Sequence, residues 1–107
     1  MTDGAVMDFA RVCSLDDLWE GDMAVFEVGG QEVLLVHAEG GTIAAFEPEC
    51  PHQNFALVQG TLEGRTLTCA AHLWKFDAST GAGINPTSCK LKSYPVKLDG
   101  DDVFVAL

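Results

Sequence analysis

Short apolar runs broken by glycine pairs set the rhythm of the first half of the chain. Ala24-Val25-Phe26-Glu27-Val28 meets Gly29-Gly30, Glu32-Val33-Leu34-Leu35-Val36-His37 meets Gly40-Gly41, and Thr42-Ile43-Ala44-Ala45-Phe46 follows. Three β-branched and aromatic runs joined by tight turns predict a meander of antiparallel strands. Near the other end Val96-Lys97-Leu98, Asp99-Gly100 and Val103-Phe104-Val105 predict a hairpin. An Asp-Gly pair tolerates positive φ at both turn positions. One helical turn is predicted at Ser14-Leu15-Asp16-Asp17-Leu18, with Ser14 as N-cap and two acids at the positive end of the helix dipole. The fold class that follows is all-β.

Residues 47–95 break this rhythm. They hold all four prolines (Pro48, Pro51, Pro86, Pro95), three of the four cysteines and two of the three histidines, with only brief strand-like pieces such as Arg65-Thr66-Leu67-Thr68. A loop-rich stretch carried on a β scaffold is where function concentrates. No internal repeat or linker divides the 107 residues, so a single domain over 1–107 is expected.

Composition narrows the function classes. A hydrophobic content of 48% and a mean hydropathy of +0.16 supply a core and exclude a disordered acidic tail. The formal net charge is -10, and its distribution is uneven: residues 1–50 carry eleven acids and one arginine, whereas residues 51–107 balance five against five. Nucleic acid and anionic membranes need a basic footprint, so neither is an expected partner. The N-terminus lacks a basic and apolar leader, and no run reaches the length of a membrane span. A cytoplasmic location is the default reading, and there cysteines serve as metal ligands, redox groups or core residues more often than as disulfides.

Two short motifs then stand out: Cys50-Pro51-His52 and Cys69-Ala70-Ala71-His72, sixteen residues apart. Each offers one thiolate and one imidazole. Zinc fingers usually pair cysteine with cysteine and histidine with histidine, so a zinc site fits less well. A binuclear iron–sulfur site of the Rieske type uses two cysteines on one iron and two histidines on the other. Replacing two thiolates by neutral imidazoles leaves the oxidised site less negative than a four-cysteine cluster, which makes an added electron easier to accept.

The order Cys-x-His, sixteen residues, Cys-x-x-His is the Rieske signature. Around it, Ala71-His72-Leu73-Trp74-Lys75-Phe76, Thr80-Gly81-Ala82-Gly83-Ile84-Asn85-Pro86, Tyr94-Pro95 and Gly100-Asp101-Asp102-Val103 resemble the Rieske ferredoxins of bacterial toluene and alkene monooxygenases, the soluble di-iron systems. The resemblance starts near Val12-Cys13-Ser14 and covers nearly the whole chain. It implies an antiparallel β-sandwich of Rieske type with a small cluster-binding subdomain, about 47–90, inserted in the scaffold. It implies one [2Fe-2S] cluster held by Cys50, His52, Cys69 and His72, with the two histidines nearest the surface. Gly81, Gly83 and Pro86 match the loop that covers the cluster, and Trp74 would sit at its rim. The implied task is to pass single electrons from an NADH-dependent flavin and iron–sulfur reductase to the di-iron hydroxylase, as a monomeric carrier that is not catalytic alone. The alternative is the ferredoxin component of an aromatic-ring-hydroxylating dioxygenase, which shares the ligand motif.

Departures from high-potential Rieske proteins point the same way. No loop cysteines are available for a disulfide, and Trp74 and Phe76 stand where hydroxyl donors would be. With fewer hydrogen bonds to the sulfurs, the potential should fall at the low end of the Rieske range, about -150 mV. Cys13 and Cys89 read as free, partly buried thiols, although spacing alone does not exclude a bridge between them. His37 reads as an ordinary strand histidine, Trp19 as core or helix-end packing, and Phe76 as a packing residue before anything else, while Trp74 can be read equally as packing. Glu47 and Glu49, flanking the first motif, are the acids best placed to steer the chain toward basic partner patches.

Overall fold

A computed structural model describes residues 9–49, 56–69, 74–85 and 90–106. Eleven strands account for most of their regular structure, and no α-helix occurs among the described residues. The meander is present: β2 (Met23–Val28), β3 (Gln31–His37) and β4 (Ile43–Phe46) pair antiparallel, and β9 (Ser93–Tyr94) adds to β4. Val28 and Gln31 are partners, so Gly29 and Gly30 form the whole turn, with φ of 57° and 86°. Both lie in the left-handed region that a tight hairpin turn demands and that glycine adopts without strain.

A second sheet joins the ends of the fold. Strand β1 (Phe9–Ser14) pairs with β11 (Asp102–Ala106), which pairs with β10 (Val96–Asp99). The C-terminal hairpin therefore forms as expected, but its two-residue turn is Gly100-Asp101 rather than Asp99-Gly100, because Asp99 is still paired with Asp102. Gly100 takes the positive φ of 63°. A third sheet of three-residue strands runs β5 (Thr61–Glu63), β6 (Thr66–Thr68), β7 (Lys75–Asp77) and β8 (Gly83–Asn85), again all antiparallel.

The meander sheet lies between the other two, and strand β3 shows why. Val33, Leu34, Leu35 and Val36 are all fully buried. Alternate side chains of a strand point to opposite faces, so four buried neighbours mean that both faces are covered. Val33 and Leu35 join Cys13, Leu18, Val28, Ala45, Val103 and Val105 in one core, against the terminal sheet. Leu34 and Val36 join Phe46, Leu57, Leu67, Cys69, Phe76 and Leu91 in the other, against the third sheet. Each of these aliphatic side chains contributes about 1.5–3 kcal/mol by leaving water.

Three isolated residues refine the sequence reading. The short helical segment is a 3-10 turn over Leu15–Asp17 with a complete capping box: the Ser14 hydroxyl accepts from Asp16 N–H at 3.0 Å, and Asp17 accepts from Ser14 N–H at 3.1 Å. Trp19 is not core, being 68% exposed; its indole N–H donates to the Asp16 carbonyl at 3.0 Å, which holds it on the end of that turn. Half-buried His37 has Nδ1 2.9 Å from the Leu18 carbonyl, so it is a satisfied structural histidine, with Nδ1 as the donor.

Candidate metal centre

Of the four proposed ligands, Cys69 is within the described residues; Cys50, His52 and His72 lie outside them, as do Pro86 and Cys89. Cys69 directly follows β6, is fully buried, and carries a free thiol. Its backbone N–H donates to the Trp74 carbonyl at 2.7 Å. That bond closes the segment 70–73 at its base: the ladder ends at Thr68, just before Cys69, and resumes at Lys75 in β7. Trp74 itself is half-buried against the core that contains Cys69.

The segment that carries Cys50 and His52 is pinned in the same manner. Glu49 and Ala56 form an antiparallel bridge, and Leu57 N–H donates to the Pro48 carbonyl at 2.9 Å. The 3-10 turn Leu57–Gln59 follows, and buried Leu57 sits in the same core as Cys69. Gly60 ends this turn under a tight constraint. A Cβ on it would collide with the Thr68 carbonyl oxygen, so only glycine lets the chain at position 60 lie this close to Thr68, the residue before Cys69. Composition did not single out Gly60; its signal is local, a lone glycine between an apolar turn and a Thr-Leu-Glu strand.

The third segment, containing Pro86, is closed by a bridge between Ala82 and Lys90. Gly81 carries a φ of 81°, and a Cβ there would come within 2.9 Å of the Phe46 ring and 3.1 Å of the Leu91 carbonyl. Leu91 N–H in turn donates to the Gly81 carbonyl at 2.8 Å. Gly81 is thus a buried packing point beneath the segment, while Gly83 lies in β8 opposite Phe76. Phe76 is fully buried and packs in the core. Upstream, Asp77 shapes the turn by accepting from the N–H groups of Ser79 and Thr80 at 2.7 and 3.2 Å.

The bases of all three segments therefore meet one core, through Leu57, Cys69 and Leu91. The chemistry of the donors suits an iron–sulfur group: Cys69 offers a buried thiol without a disulfide, and the sequence offers a second thiol and two imidazoles at Cys50, His52 and His72, the positions proposed beside it. The other described cysteine, Cys13, is also buried and free, but it stands within β1 opposite Val103. Burial pushes its thiol pKa up, Asp17 adds to that and Arg11 opposes it, so it stays protonated and is a poor ligand. Glu47, proposed as a steering acid, has its carboxylate engaged: it accepts from Lys92 N–H at 2.7 Å.

The Rieske [2Fe-2S] domain model matches residues 8–95. The chain belongs to this family. Over 100 residues the Rieske domain is 46% identical to the ferredoxin component of the alkene monooxygenase system of Xanthobacter autotrophicus, covering 92% of this chain and 81% of that one. Among solved structures it is similar to the ferredoxin of carbazole 1,9a-dioxygenase from Nocardioides aromaticivorans, at 32% identity and a TM-score of 0.81, covering 92% and 96% of the two chains. It is also similar to a chain in the complex of reduced oxygenase and oxidized ferredoxin of carbazole 1,9a-dioxygenase, at 27% identity and a TM-score of 0.80, with 92% of each chain covered. No helix among the described residues of this Rieske domain is long and apolar enough to cross a membrane.

Proposed function

We propose that this Rieske domain is the electron-carrying ferredoxin of a multicomponent monooxygenase, taking single electrons from an NADH-dependent flavin and iron–sulfur reductase and delivering them to a di-iron hydroxylase. The observation that carries this reading is the 46% identity to an alkene monooxygenase ferredoxin over 92% of the chain. Cys50 and Cys69 hold the cluster as thiolates and His52 and His72 as neutral imidazoles. Bound there, a [2Fe-2S] group supplies a one-electron store whose potential is raised by the histidines. The protein's own contribution is rigidity and dryness: the pinned bases of the three segments hold the ligands at fixed spacing, Trp74 screens the rim, and Gly81, Gly83 and Pro86 belong to the cover. The chain acts as one domain over 1–107, with 47–90 as its cluster-binding part, and works as a monomeric cytoplasmic carrier that is not catalytic alone.

The similarity to a carbazole dioxygenase ferredoxin supports a second reading, in which the recipient is a ring-hydroxylating dioxygenase. Reconstitution separates them. With NADH and the reductase present, hydrocarbon oxidation by a di-iron hydroxylase should depend on this chain. Equal turnover without it overturns the first reading, and turnover with a dioxygenase alone selects the second.

A further inference from the structure

Strands β4 and β9 pair through Ala45 with Tyr94 and Phe46 with Ser93. The next residues along, Glu47 and Lys92, continue this pairing in half. Glu47 N–H donates to the Lys92 carbonyl at 2.9 Å, as a ladder requires. The return bond is different: Lys92 N–H donates at 2.7 Å not to a backbone carbonyl but to the Glu47 carboxylate. A side chain has replaced the main chain as the last acceptor of the ladder, and a charged acceptor makes a stronger hydrogen bond than a neutral one. The backbone after Glu47 is thereby released from β9. It turns away at Pro48, whose carbonyl accepts from Leu57 at the base of the first ligand segment.

The two residues joined in this way stand at the roots of two different segments. Glu47 is three positions before Cys50. Lys92 follows Lys90, which bridges Ala82, and Leu91, which bonds Gly81, at the root of the Pro86 segment. The Lys92 ammonium lies 5.5 Å from the centre of the Tyr94 ring, so the contact with Glu47 is made by the amide and does not depend on the lysine charge. We propose that Glu47 is a positioning residue, whose carboxylate clasps the root of the covering segment to the root of the first ligand segment and so sets how firmly the cluster is retained. This rests on the proposed function, since it needs the cluster at Cys50, His52, Cys69 and His72.

The test uses the holo-protein as purified, with Glu47→Ala, Glu47→Gln and Val105→Ala, the last a cavity in the opposite core. Iron release to a chelator is followed by loss of visible absorbance, and protection of the Lys92 amide by hydrogen exchange. Glu47→Ala should release iron about tenfold faster and expose the Lys92 amide, as expected for loss of a charged hydrogen-bond acceptor. Glu47→Gln keeps an acceptor oxygen and should stay within about threefold of the parent. Val105→Ala should lower the unfolding midpoint without matching that release rate. Parental release from Glu47→Ala, or equal acceleration in Val105→Ala, overturns the inference. Parent protein that binds no iron overturns the proposed function itself, whereas iron held equally well with an exposed Lys92 amide overturns the clasp alone.

Discussion

Cys13 and Cys69 are both buried, both free, and packed against opposite faces of the meander sheet. Burial alone would treat them alike. The difference lies in what the backbone does next. Cys13 stays within the strand, opposite Val103 and next to a bulge at Val12, and Arg11 before it and Ser14 after it are both paired with β11. Cys69 is the first residue off the ladder, and its N–H closes a segment that contains His72. A buried thiol becomes a useful ligand when the adjoining chain leaves the sheet and can bring a second donor to the same place.

The comparison breaks most sharply by removing the thiols in turn. Cys69→Ser should abolish cluster assembly, seen as loss of visible absorbance and of the EPR signal of the reduced protein, while Cys13→Ala keeps both. Retention of a parental spectrum by Cys69→Ser would remove Cys69 from the ligand set. A smaller effect is expected from Gly60→Ala. The new methyl meets the Thr68 carbonyl one residue before Cys69, so a cost of more than about 2 kcal/mol and an altered spectrum should appear together, measured by denaturant unfolding and visible circular dichroism.

Cys13→Ala should cost about 1 kcal/mol at neutral pH through lost packing. It also sharpens the contrast through pH. The folded-state pKa of Cys13 is raised above the ordinary 9.0 by burial first and Asp17 second. Its stabilising contribution is whole below the unfolded thiol pKa and is lost as pH rises through the raised folded value. The parent should therefore lose stability in alkali by an increment that Cys13→Ala lacks, and identical pH profiles would contradict the assignment. The smallest change is expected from Arg11→Ala, which breaks a 3.0 Å ion pair with Asp102 on the terminal sheet. Both side chains are about half exposed, so less than about 1 kcal/mol should be lost, with no change in spectrum.

Legibility in the sequence followed the same division between local and distant partners. The β2–β3–β4 meander and the β10–β11 hairpin were readable because glycine turns join strands that pair with their immediate neighbours. Strand β1 was not, since Phe9–Ser14 finds its partner in β11 and nothing near Phe9 announces it. The third sheet shows in the sequence mainly as the piece Arg65-Thr66-Leu67-Thr68, of which Thr66–Thr68 is the strand, because strands of three residues are too short to show an alternation. The proposed ligand motif stands out through residue type and spacing alone. Its supports do not: Gly60 matters for a carbonyl eight positions away, and the Glu47 carboxylate for an amide 45 positions away.

The pairing of β1 with β11 also bears on the order in which the fold closes. Arg11 and Asp102, which face each other across the terminal sheet, are separated by 91 positions in the chain. Closing so long a loop carries a larger entropic cost than forming the meander, whose two turns are two and five residues long. The terminal sheet is therefore expected to close after the meander, like a seam sewn last.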